Sequence, residues 1–102
     1  MSETILVIEY EPRYTERVRQ ALAGKPVNPV FAHDGEEAIK ALHGIQPALI
    51  VLSSVIPKVS TSELIRVIRS RPDLRDTPIL LTVSGYSGSN AKADAQRLGG
   101  SD

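Results

Sequence analysis

The chain has 102 residues, twelve basic and twelve acidic, and a formal net charge of zero. That balance argues against a polyanion-binding footprint, so direct nucleic-acid binding is not expected, and the length allows one modest domain spanning 1–102. With no cysteine and two well-separated histidines, the composition speaks against a disulfide framework, thiolate chemistry and a structural zinc site. The first four residues, Met1 to Thr4, are polar and run straight into a short apolar strand, without the basic segment and long apolar core of a signal peptide. No stretch approaches the roughly 18 apolar residues of a membrane span. A cytoplasmic protein with no membrane contact is the expectation.

Thr4-Ile5-Leu6-Val7-Ile8 is a β-branched apolar run, which predicts a short buried strand. Pro12 then sits near a helix start, where its missing N–H costs nothing. Tyr14, Val18 and Leu22 recur at four-residue spacing, predicting an amphipathic helix over 13–23 that ends at Gly24. A weaker strand over 27–32 contains Pro29, which favours a sheet edge. Asp34-Gly35 makes a turn, and a helix over 36–43 turns Ala38, Ile39 and Leu42 inward before Gly44 stops it. Residues 48–53 form an unbroken apolar run closed by Ser53, the pattern of a central strand whose polar end opens onto a crevice. A loop over 57–61 leads to a helix over 63–70 capped by Ser62, with Leu64, Ile65, Val67 and Ile68 inward. Arg66, Arg69, Arg71 and Arg75 gather at its end, suited to the negative pole of the helix dipole. They read as a solvated helix end, or else as a docking patch for an acidic partner. Residues 78–83 predict a fourth strand, 84–89 a Gly/Ser loop, and 90–98 a last short helix stopped by Gly99-Gly100. Strands alternating with helices through short loops predict a doubly wound parallel α/β sheet with right-handed crossovers.

Five segments together resemble the bacterial response-regulator receiver domain, the CheY-like family. Ile5-Leu6-Val7-Ile8-Glu9-Tyr10-Glu11-Pro12 looks like its I-L-V-V-D-D-E-P. Ala32-His33-Asp34-Gly35-Glu36-Glu37-Ala38 looks like its A-x-D-G-x-E-A. Pro47 to Pro57 is similar to its third strand, P-D-L-I-x-L-D-x-x-M-P. Thr77-Pro78-Ile79-Leu80-Leu81 resembles the start of its fourth strand, and Leu98-Gly99-Gly100-Ser101-Asp102 its L-G-A-D-D. The resemblance implies a flavodoxin-like sheet in the order 2-1-3-4, with the family's fifth strand and last helix absent from the chain.

The family's phosphoryl chemistry needs a carboxylate nucleophile and Mg²⁺ to neutralise the transferring group, and Mg²⁺ takes oxygen ligands that usually include carboxylates. By the resemblance, the phosphoacceptor position is Ser53 and the acidic pair is Glu9 and Tyr10. Two of three carboxylates are replaced, and Glu11 is an extra acid beside them. The Thr/Ser position of the fourth strand falls on Val83 counted from Pro78, or on Ser84 counted from the Gly/Ser loop. The phosphate-pairing Lys of the family's fifth strand has no counterpart in the chain.

Ser53 reads either as a polar cap on a buried strand or as an acceptor position that has lost its acceptor. A Ser nucleophile would need an adjacent base, and neither His33 nor His43 is placed to reach it. Glu9 is either a solvated strand-end carboxylate or a remnant metal ligand, and the Tyr10 ring is expected to cover the crevice with its hydroxyl in water. The loop after the fourth strand precedes a helix N-terminus, where anions can bind; Ser54, Gly85, Ser87 and Gly88 are the candidate contacts.

The expectation is therefore a non-phosphorylatable pseudo-receiver, not an enzyme, with no cofactor and weak or absent Mg²⁺ binding. Its partners would be signalling proteins or domains of a parent protein, with self-association through the fourth-strand edge as a further candidate. The alternative is a small anion- or nucleotide-sensing domain using the crevice above Ser53.

Overall fold

A computed structural model of the chain describes residues 3–82. Within them lie four parallel strands, β1 (Glu3–Ile8), β2 (Val27–Ala32), β3 (Leu49–Ser53) and β4 (Ile79–Thr82), and three helices, α1 (Pro12–Leu22), α2 (Gly35–Leu42) and α3 (Thr61–Ser70). The sheet runs β2-β1-β3-β4, the order expected. β2 lies at the edge, with Pro29 opposite Ile5, so its missing donor costs no ladder bond on an interior strand. Among the described strands, β4 pairs only with β3, and Leu80 on it is 39% exposed.

The chain leaves β1 towards β2 through α1, then reverses past β1 to β3 through α2 and on to β4 through α3. Crossovers of one hand in opposite directions place α1 on one face and α2 and α3 on the other. The side chains follow that split with the two-residue period of a strand. Leu6, Ile8, Ile50, Leu52, Ile79 and Leu81 point into the main core against Leu64 and Ile68 of α3 and Ala38 and Leu42 of α2. Ile5, Val7 and Val51 point the other way, towards Val18 and Leu22 of α1. The fully buried residue of α1 is Thr15, and Val18 and Leu22 are half-buried.

Each helix start is capped, though not always by the residue the sequence suggested. Glu11 caps α1, its carboxylate accepting the Arg13 N–H at 3.5 Å, with Pro12 as the first helical residue. Asp34 caps α2 through the Glu37 N–H at 2.8 Å, while the Glu37 carboxylate accepts the His33 N–H at 2.9 Å. α3 begins two residues earlier than expected, at Thr61. Its cap is Ser60, which accepts the Glu63 N–H at 3.2 Å, and Ser62 sits inside the first turn. Helix assignment by apolar spacing missed Thr61 because its buried hydroxyl serves a bond and not the apolar stripe.

The arginines at the end of α3 and just beyond it also correct the expectation. Arg69 is neither solvated nor free for a partner: its Nη1 donates to the carbonyls of Leu74, Arg75 and Thr77 at 3.0, 2.9 and 2.8 Å. Arg71 donates to the Leu42 carbonyl at 2.7 Å and pairs with Asp73 at 2.7 Å. Together they fold a short 3₁₀ turn, Pro72–Leu74, under the sheet and seat Leu74 in the main core. Arg66 and Arg75 remain exposed. No helix among the described residues is long and apolar enough to cross a membrane.

Candidate functional site

The crossover direction reverses between β1 and β3, and in open α/β sheets the ligand crevice lies at that switch point, beyond the carboxyl ends of the strands. Glu9 follows β1 there, and Ser53 closes β3. Two buried threonines anchor this edge. The Thr15 hydroxyl, on the first turn of α1, donates to the Glu9 carbonyl at 3.4 Å and the Glu11 carbonyl at 3.2 Å. The Thr61 hydroxyl, first in α3, donates to the Ser53 carbonyl at 2.9 Å. Neither was singled out from the sequence; the available signal was a small hydroxylated residue in a helix's first turn, shortly after a strand's last residue.

Ser53 is 1% exposed. Its hydroxyl donates to the Val55 carbonyl at 3.1 Å and accepts the Val55 N–H at 3.3 Å, a local turn in which both hydroxyl roles are used by one residue's backbone. That arrangement is the polar strand cap. Both histidines are exposed, and among the described residues the Ser53 side chain hydrogen-bonds to Val55, with no general base assembled on it.

Glu9 is 5% exposed, which overturns the reading of a solvated strand-end carboxylate. It turns back to accept the Glu11 N–H at 3.1 Å. Glu11 is committed to the cap of α1 and lies 3.6 Å from Arg13. Tyr10 does not cover the crevice. It is 61% exposed and borders a surface hollow shared with Pro12, Thr15, Arg19 and His33, on the α1 side.

Of the candidate anion contacts, Ser54 donates its backbone N–H to the Thr82 carbonyl at 2.8 Å, so that donor is not available to an anion. Gly85, Ser87 and Gly88 lie outside the described residues, as do both candidates for the Thr/Ser position, Val83 and Ser84, and the last predicted helix.

The segment joining β3 to α3 packs on the start of α2. The Gly35 N–H donates to the Pro57 carbonyl at 3.2 Å, and a Cβ on Gly35 would collide with that of Val59. Lys58 stands between them with a left-handed φ of 74°. Its ammonium is 3.6 Å from Asp34 and 3.8 Å from Glu36. The Glu37 backbone N–H, with Lys58 adding to it, holds the Asp34 carboxyl below the usual aspartate range. Lys58 was not singled out from the sequence, because nothing in a string marks a lysine as left-handed.

Among the described residues no group of three or more His, Cys, Asp or Glu side chains is gathered closely enough to hold a metal ion. Glu9 is the carboxylate at the strand ends, beside an outward Tyr10 and a Ser53 turned onto backbone.

No protein-family model matches the chain. The sequence is 32% identical over 93 residues to the response regulator MprA of Mycobacterium ulcerans, covering 91% of this chain and 39% of that protein. It therefore spans about two fifths of the length of such relatives. The signal receiver domain of a histidine kinase from Syntrophus aciditrophicus superposes with a TM-score of 0.82 at 25% identity, over 99% of this chain and 76% of that one. The chemotaxis response regulator CheY4 of Vibrio cholerae has the same fold, with a TM-score of 0.84 at 18% identity over 98% of this chain and 82% of its own. The strand order, the reversal between β1 and β3 and these likenesses agree: the chain belongs to the response-regulator receiver, or CheY-like, domain family of two-component signalling.

Proposed function

We propose that this domain is a pseudo-receiver, which keeps the receiver fold as a protein–protein interaction module and does not act as an aspartyl-phosphate switch or an enzyme. The observation that carries this reading is the state of Ser53. A phosphoacceptor must present a nucleophilic oxygen to the donor, and here the oxygen is a neutral hydroxyl, buried and bonded on both sides to Val55. Activating it needs a base within hydrogen-bond reach. Stabilising the transferring phosphoryl needs positive charge held by carboxylates, and among the described residues the buried carboxylate that follows β1 is that of Glu9, with Tyr10 and Ser53 at the other two positions. Its partners are proposed to be other signalling proteins or domains of the protein that carries it.

The reading is tested by incubating the protein with Mg²⁺ and acetyl phosphate and measuring intact mass. The mass should stay unchanged. Ser53→Asp alone should also remain unmodified, because Tyr10 leaves the metal site one carboxylate short. A gain of one phosphoryl group on the unaltered chain would refute the proposal.

A further inference from the structure

The segment over 54–60 does more than connect β3 to α3. Its first residues carry the backbone groups that occupy the Ser53 hydroxyl, and its middle is fastened to another element. Val55 supplies both partners of Ser53. Two residues on, the Pro57 carbonyl accepts the N–H of Gly35 at 3.2 Å and that of Val59 at 2.9 Å. Lys58 then reaches Asp34 and Glu36. Val59 packs where Gly35 has no side chain. The segment is a strap tied at its far end to the first turn of α2.

We propose that Lys58 is the pin of this strap, so that access to Ser53 is controlled from the start of α2 and not at the crevice itself. The geometry gives it a releasable character. The left-handed backbone of Lys58 is one that a residue with a Cβ seldom adopts, and it persists where the surroundings enforce it. The backbone bond from the Val59 N–H to the Pro57 carbonyl closes around it, and the ion pairs that fasten it to α2 are half-exposed: the Lys58 side chain is 57% accessible and that of Glu36 56%, while Asp34 is 12% accessible. Pairs of that exposure are weak and screened by salt. The bonds at the carboxyl end of β3, from Thr61 to the Ser53 carbonyl and from Ser54 to Thr82, do not involve Lys58. Release at Lys58 therefore loosens Val55 to Val59 while leaving the strand and α3 in place. This holds whether or not Ser53 can accept a phosphoryl group.

The chain has no cysteine, so Ser53→Cys installs a single thiol of nearly the same size as a probe of the crevice. Its rate of reaction with a soluble disulfide reagent is compared in the Lys58, Lys58→Met and Lys58→Arg backgrounds. Val7→Cys serves as the reference, being buried inside the sheet on the neighbouring strand β1, away from the strap. Lys58→Met should speed labelling at position 53 by roughly three- to tenfold, the scale set by two half-exposed ion pairs, and leave position 7 unchanged. Lys58→Arg should keep the slow rate. Raising salt to about 1 M, where screening is nearly complete, should speed labelling with Lys58 present and have little effect with Met. An unchanged rate at position 53 in Lys58→Met would overturn the proposal. So would equal acceleration at positions 53 and 7, which would make Lys58 a contributor to global stability and nothing more.

Discussion

Gly35→Ala is the sharpest test of how closely the strap meets α2. Gly35 is the first residue of the helix and its φ lies outside the left-handed region, so the position asks for the absence of a side chain. An added Cβ would run into the Val59 Cβ and stand 3.2 Å from the Val59 Cα. Because those atoms do not move with a rotamer, relief requires the strap or the helix start to shift, stretching the bond from Gly35 to Pro57. Forcing a methyl group into a packed contact costs about 1–3 kcal/mol. Against it stands the gain of up to about 1 kcal/mol that alanine has over glycine in a helix interior, less in a first turn. The net is a loss of about 1–2 kcal/mol, or a fall in Tm of roughly 5–15 °C for a domain of this size. Urea unfolding and a thermal melt measure it directly. Val59→Gly removes the opposing Cβ, so the double variant should be less destabilised than the sum of the singles by more than about 0.5 kcal/mol. A Gly35→Ala protein as stable as the parent would show that the strap yields freely and that the packing argument is wrong.

Two further outcomes are expected. Ser60→Ala should destabilise the protein by about 1 kcal/mol through loss of the α3 cap, and Ser62→Ala by only a few tenths; comparable losses in denaturant midpoint would put the cap elsewhere. Asp34, whose folded-state pKa lies below its unfolded value of about 3.8, contributes stability that is fully present above that unfolded value and lost as pH falls through the lowered folded one. Stability of the parent relative to Asp34→Asn should accordingly shrink on acidification below about pH 4, and a difference that stays constant from pH 7 to 3 would contradict the assignment.

Much of the architecture was legible because it rests on period and punctuation. The apolar runs ending at Ile8 and Ser53, the edge-marking Pro29 and the Asp34-Gly35 turn each have one strong local meaning. The structure agrees with the first three, and makes Asp34-Gly35 the N-cap and first residue of α2, so that the helix starts one residue earlier than expected. What was not legible depends on chain directions that meet only in three dimensions. Ser60 and Ser62 are equally good caps as letters, and the choice is made by Thr61, whose hydroxyl must reach Ser53. Arg69 looks like any helix-end cation until the chain folds three carbonyls around it. Tyr10 fits the crevice by position, yet it borders a hollow with Pro12, Thr15 and Arg19 of α1, a neighbourhood set by the backbone path after β1. Asp34-Gly35 is instructive in the other direction. The turn was predicted from its letters alone, but the reason for the glycine is Val59, twenty-four residues later.

The unequal faces of the sheet also set an order in which the molecule comes apart. On one side α2, α3 and the Pro72–Leu74 turn share a continuous core, so none of them can leave without exposing the others. On the other, among the described residues, α1 rests on half-buried Val18 and Leu22, with the Thr15 hydroxyl hooked to the end of β1. Elements with few buried apolar contacts open at lower free energy than the global transition. Of the described helices, α1 is therefore expected to lift from the sheet first, pivoting about Thr15 at its attached end. The α2–α3 side, together with the strap over Ser53, persists as the last cooperative unit.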